Sequence, residues 1–113
     1  MKEQVQAAAA PELDLERIAR DLARSMKAEK VILFGSRARG GSSRRSDLDL
    51  FVVQKTERPP LARIGEGLKL LPPLPCDVDL IVYTPDELSA RQETPFMRRL
   101  LSEGVILFDT PHG

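Results

Sequence analysis

The apolar positions of this chain follow two spacings that alternate along its length. After Pro11, Leu15, Ile18, Ala19, Leu22 and Met26 recur three and four residues apart, which predicts one face of a helix running to about Ala28. Val31 to Phe34 is instead a short unbroken apolar run ended by a glycine, the pattern of a buried strand. Further strands are expected over Asp47 to Val53, Cys76 to Tyr83 and Val105 to Phe108. A polar connector ending in Pro59 and Pro60 leads to a short helix over 61–71, weakened by Gly65 and Gly67 and closed by a proline-rich stretch. Pro85, Asp86 and Glu87 begin a helical turn. Thr94 followed by Pro95 opens a helix through Ser102, which Gly104 caps. These elements predict an α/β (α+β) domain over 11–109, a central mixed sheet of about four strands flanked by helices. Residues 1–10 read as a lead-in and 110–113 as a tail.

Length and charge narrow the possibilities. A chain of 113 residues suits one core. Its 17 basic and 17 acidic residues cancel, which argues against a general nucleic-acid or membrane coat, because such coats need excess positive charge. The charge is uneven, however: Arg37, Arg39, Arg44 and Arg45 fall within nine residues that hold no acid, so a local anion site is open. A single cysteine, Cys76, excludes an internal disulfide and reads as a small buried hydrophobe. No apolar run approaches the ~20 residues that cross a bilayer. The first ten residues lack a leucine-rich signal core, so a cytoplasmic location is expected. His112 lies in the tail, and Tyr83 ends a strand where packing is its plain role.

The acids that open two apolar strands need a reason. Strand side chains alternate, so Asp47 and Asp49 share one face while Leu48 and Leu50 take the other, and Asp77 and Asp79 repeat the arrangement. Ionised carboxylates gathered on a sheet repel one another and resist desolvation. A divalent cation resolves that conflict, and carboxylates with room for phosphate oxygens and water describe a magnesium site. The plain alternative is a set of strand-end acids that only meet solvent.

Upstream, Gly35 directly follows an apolar strand. Glycine there lets backbone N–H groups approach an anion, and Ser36 adds a hydroxyl. A helical start over 36–40 would add its dipole, and the arginines offer charge-assisted donors. Taken alone, this loop reads as a solvated flexible turn rather than a phosphate site, and only the downstream acids shift that reading. It is neither a P-loop nor a dinucleotide fingerprint.

Together, Gly35-Ser36, ten intervening residues and Asp47-Leu48-Asp49 resemble the nucleotidyltransferase superfamily that includes DNA polymerase β, most closely its minimal branch. Residues 38–40 (ARG) and 46–50 (SDLDL) also match that branch, and VDLIVYTPDEL at 78–88 resembles the segment carrying the family's third acid, at Asp79. The resemblance spans roughly residues 15–108. It implies two magnesium ions held by Asp47, Asp49 and Asp79, which are also the catalytic residues, Asp79 helping to activate the attacking hydroxyl. It implies a nucleoside triphosphate as substrate, its terminal phosphates gripped by Gly35 and Ser36, with Arg37 and Arg39 inside the pattern. Arg44 and Arg45 are equally consistent with a solvated loop. Asp77 lies at its strand's start, where a solvated end acid is the simpler reading, and the resemblance favours Asp79.

Larger members add a helical domain for the acceptor, which this length does not accommodate, so a second copy or another protein is expected to complete the cleft. Minimal members are commonly paired with a small helical protein of the HEPN type, and some are antitoxins that adenylylate it. The expected function is therefore transfer of a nucleotide, AMP from ATP, to a tyrosine hydroxyl of such a partner, releasing pyrophosphate. Two alternatives stand beside it: an antitoxin that acts by binding alone, and transfer to a small molecule. An intact set of electrostatically costly acids favours catalysis, and the missing substrate domain disfavours the last.

Overall fold

A computed structural model describes residues 13–40 and 47–110. The lead-in, Pro11, Arg44, Arg45 and His112 lie outside them. The chain runs α1 (Leu15–Met26), β1 (Ala28–Phe34), β2 (Leu48–Gln54), α2 (Pro60–Leu70), β3 (Val78–Tyr83), α3 (Pro85–Arg91), α4 (Pro95–Glu103) and β4 (Val105–Asp109). The four strands form one sheet in the order β3-β2-β1-β4. β1 is antiparallel to both β2 and β4, while β2 and β3 are parallel, so the sheet is mixed as expected.

Local chemistry explains the ends of these elements. The Asp14 side chain caps α1 by accepting the Arg17 backbone N–H at 3.2 Å. Lys27 closes the helix in a left-handed conformation (φ 56°), which turns the chain straight into β1. This is why α1 stops at Met26 and β1 begins at Ala28, three residues before the apolar run at Val31 suggests. The buried Gln54 amide at the end of β2 donates to the Met26 carbonyl at 2.8 Å, pairing one of the orphan carbonyls at the helix end. β2 and β3 start later than expected, at Leu48 and Val78. The Leu48 N–H reaches the Asp77 carbonyl at 2.8 Å and opens the parallel ladder, leaving Asp47 and Asp77 outside it. Thr84 and Glu87 form a reciprocal capping box on α3, and Thr94 caps α4.

Helices pack on both faces of the sheet. On one side Val31, Leu33, Leu48, Leu50, Val52, Leu80 and Val82 meet Ala19, Leu22, Ala23 and Met26 of α1, with Ile64 of α2 beside them. On the other, Ile32, Phe51 and Val53 meet Met97 and Leu100 of α4, with Leu88 of α3 at the margin. Tyr83 packs edge-on against Phe51, ring centroids 5.2 Å apart, so its aromatic ring is part of this second core. β2, flanked by strands on both edges and by helices on both faces, is buried at every position except Asp49, which is partly exposed. Cys76 is half-buried against the first core. No helix among the described residues is long and apolar enough to cross a membrane.

One charged side chain is built into the fold with no local sequence signal. Arg63 of α2 is buried, and its guanidinium donates to the Arg58 carbonyl (2.6 Å), the Val82 carbonyl (3.3 Å) and Glu87 Oε1 (2.7 Å). It thereby ties α2 to β3 and to the start of α3. The Arg63 hydrogen bond, assisted by the Thr84 backbone N–H, holds the Glu87 carboxyl below its ordinary pKa of 4.5. Arg63→Met keeps volume but removes every donor, and is expected to destabilise the fold by about 2–3 kcal/mol, since it strands buried acceptors. A depressed carboxyl pKa stabilises the fold above the unfolded value, and the contribution disappears as pH falls through the folded one. Urea denaturation of both proteins at pH 7 and below pH 4.5 checks this: the gap between them should narrow in acid.

Candidate active site

The site forms where β1 ends and where β2 and β3 begin. Sheet register places Asp49 opposite Phe34 on one side and opposite Asp79 on the other. Gly35, the residue after Phe34, therefore lies beside the Asp49 side chain. A Cβ at Gly35 would run into the Asp49 carboxylate, and the backbone there has φ +77°, a region that L side chains seldom adopt. Glycine is required twice over.

From Gly35 the chain enters a tight turn. The N–H groups of Ala38 and Arg39 donate to the Gly35 carbonyl at 3.1 and 3.3 Å, and Gly40 donates to the Arg37 carbonyl at 3.2 Å. Residues 36–40 are thus a single hydrogen-bonded turn, and Gly40 leaves it at φ +82°. Ser36 and Arg37 are half-buried, whereas Arg39 is exposed.

The acids are not equivalent. Asp49 is partly buried, and Asp47, Asp77 and Asp79 are exposed. Burial pushes the Asp49 carboxyl up from 3.8 to about 6; a hydrogen bond with the Asp79 side chain and the charges of Asp79 and Asp47 act in the same direction, and Arg39 opposes them. The structure thus brings Gly35, Asp49 and Asp79 together, with Asp47 felt by Asp49 through its charge. Asp77 contributes its backbone carbonyl to the β2–β3 ladder. Among the described residues no three acids converge in a ready-made metal cluster. The donor chemistry nevertheless fits a hard divalent cation: the groups are all carboxylate oxygens, and their mutual repulsion is what a cation would relieve.

Beyond Gly35 lies a cleft of about 270 Å3 lined by Phe34, Gly35, Arg39, Phe96, Arg99, Leu100 and Glu103. Sequence reading passed over the α4 residues because nothing local marks them. They reach the Gly35 turn only because α4 packs on β1 and β2.

Asp49 is expected to lower stability at neutral pH. Its folded pKa is raised, so protonation favours the fold: the contribution is complete below 3.8 and is lost as pH rises through about 6. Asp49→Ala, without metal, should therefore raise the melting temperature at pH 7. Gly35→Ala should destabilise by about 2 kcal/mol or more in the native background, and by only about 1 kcal/mol when Asp49 is alanine, where the backbone penalty alone remains. A double-mutant cycle by chemical denaturation measures the difference.

Comparison with known proteins bears on the family and the fold. The family model for polymerase beta nucleotidyltransferases matches residues 16–112. No curated protein matches the chain. Among solved structures, a mutant of the toxin–antitoxin complex MntA-HpeT aligns with a TM-score of 0.63 at 27% identity, over 88% of this chain and 75% of that one. A Sulfolobus solfataricus protein described as a nucleotidyltransferase aligns with a TM-score of 0.56 at 26% identity, over 81% and 74%. A toxin–antitoxin structure with AMP-PNP shares the fold, with a TM-score of 0.57 at 23% identity over 87% and 75%. With that family model matched over nearly the whole of its length, the chain belongs to the polymerase beta nucleotidyltransferase family.

Proposed function

We propose that the protein transfers a nucleotide, AMP from ATP, to a tyrosine hydroxyl of a helical HEPN-type partner and acts as the antitoxin of that pair. The observation that carries this reading is the meeting of Gly35, Asp49 and Asp79 at one end of the sheet. A partly buried acid with a pKa near 6, wedged against a glycine that opens a turn, has no role in packing. The likeness, at 27% identity, to the toxin–antitoxin complex MntA-HpeT supports the partner.

In this reading Asp47, Asp49 and Asp79 hold two magnesium ions, which when bound stabilise charge on the attacking and leaving oxygens of an in-line displacement. Gly35 and Ser36 present backbone and hydroxyl donors to the terminal phosphates, with Arg37 and Arg39 neutralising their charge. Asp79 takes the proton from the acceptor hydroxyl. The hydroxyl oxygen bonds to the α-phosphorus, the bond to the bridging oxygen breaks, and pyrophosphate leaves. The partner supplies the acceptor and the other wall of the cleft.

Incubation with α-labelled ATP, magnesium and the partner should label the partner. Asp47→Ala with Asp49→Ala should reduce labelling by ~10^3-fold or more. If the double variant still neutralises the partner fully, contact alone accounts for the antitoxin effect. Cation binding must displace the proton that Asp49 retains below about 6, so affinity for Mg·ATP should rise as pH increases through that value. Calorimetry at pH 5 and pH 7 tests this, and Asp49→Asn should abolish the pH dependence along with most of the affinity.

A further inference from the structure

Glu103 is oddly placed for a helix. It is the last residue of α4, where the negative end of the helix dipole disfavours an acid, and α4 has no basic residue in its last turn. Its pairing with Arg99, four residues earlier, has the less favourable orientation for such a pair. Yet two guanidiniums converge on this one carboxylate. Arg39, from the turn after Gly35, approaches Oε1 at 3.6 Å, and Arg99 approaches Oε2 at 3.4 Å.

All three residues line the cleft that also includes Gly35 and the ring of Phe34, itself stacked edge-on with Phe96. Gly104 fixes the end of α4 here. Its N–H bonds the Leu100 carbonyl at 2.8 Å, and a Cβ at this position would press on Ile32 of β1. The close packing of Gly104 on β1 thus sets the end of α4, and with it the backbone of Glu103, beside the Gly35 turn. One oxyanion bridging Arg39 and Arg99 shows that a single anion can be reached by both.

We propose that this cleft receives the terminal phosphates of the nucleotide, and the pyrophosphate formed from them, with Arg99 as a second guanidinium beside Arg39 and Glu103 standing in the anion's position until it arrives. The inference rests on the nucleotidyl-transfer reading and adds to it a residue on α4. A polyphosphate carries several acceptor oxygens for the guanidinium forks and a larger charge than one carboxylate, so it displaces Glu103 from both. Glu103 keeps the two arginines ordered beforehand and competes with the ligand. Removing its charge strengthens phosphate binding, and removing Arg99 weakens it.

The test is calorimetric titration of the full chain with inorganic tripolyphosphate and with Mg·ATP, comparing Arg99→Ala, Arg99→Lys and Glu103→Gln with the wild type. Arg99 and Glu103 are exposed at the side chain (71% and 39%), so these variants should fold, and circular dichroism verifies it. Expected are a loss of ~3–10-fold in affinity for Arg99→Ala, partial recovery in Arg99→Lys, and a gain of about threefold for Glu103→Gln, each shrinking at high salt. Affinity for AMP, which lacks the terminal phosphates, should not change. If Mg·ATP binds the wild type and the variants alike, the cleft proposal fails and nucleotidyl transfer stands. If the wild type binds neither Mg·ATP nor tripolyphosphate, both fail.

Discussion

The architecture turns on a carboxylate that the core would rather not contain. β2 lies between β1 and β3 and is covered on both faces, and every other residue in it is buried. Asp49 interrupts that run near the start of β2, where it is partly exposed. It is wedged between the backbone of Gly35 and the side chain of Asp79, and burial together with like charge drives it toward protonation. Much nearby follows from this. Position 35 must be glycine, the chain must turn away from the sheet immediately after β1, and the neighbouring strand must begin in register so that Asp79 lies opposite.

The rest of the fold holds this end of the sheet in place. On one face, α1 and α2 bury an aliphatic layer against the sheet; on the other, α3 and α4 cover Phe51 and Val53 but stop short of Asp49. Helices α2 and α3 are joined through Arg63, whose guanidinium reaches two carbonyls and Glu87. A buried arginine of this kind contributes less to net stability than to fixing one arrangement, because its desolvation offsets much of its attraction. Here it fixes β3 against α2, and so fixes the strand that carries Asp79. α4 has a separate effect: by packing Met97 and Leu100 on the sheet, it brings Arg99 and Glu103 to the Gly35 turn. Arg39 and Asp49 from the first half of the chain thus meet Asp79, Arg99 and Glu103 from the second around the end of β1.

Much of this was legible in the order of residues. Apolar periodicity marks the helices and strands, because burying one face of each requires it, and capping residues such as Thr84 and Thr94 mark helix starts. The placement of Gly35 beside Asp49 was not legible in the same way: thirteen residues, 35–47, join β1 to β2, and it is the antiparallel register that sets Phe34 opposite Asp49. Strand and helix ends were less legible. Lys27, at a left-handed φ, and the Leu48–Asp77 hydrogen bond set where β1 and the β2–β3 ladder begin, and neither belongs to an apolar pattern.

The sequence by itself therefore determined the elements, the glycine turn and the acids, because each depends on the spacing of a few neighbouring residues. Only the tertiary structure decided which acids meet. Parallel pairing of β2 with β3 sets Asp79 against Asp49, while Asp47 and Asp77 fall outside the ladder. It alone buried Arg63 and carried Arg99 and Glu103 to the Gly35 turn. These contacts join residues distant along the chain, and no local spacing encodes a distance that packing has yet to set.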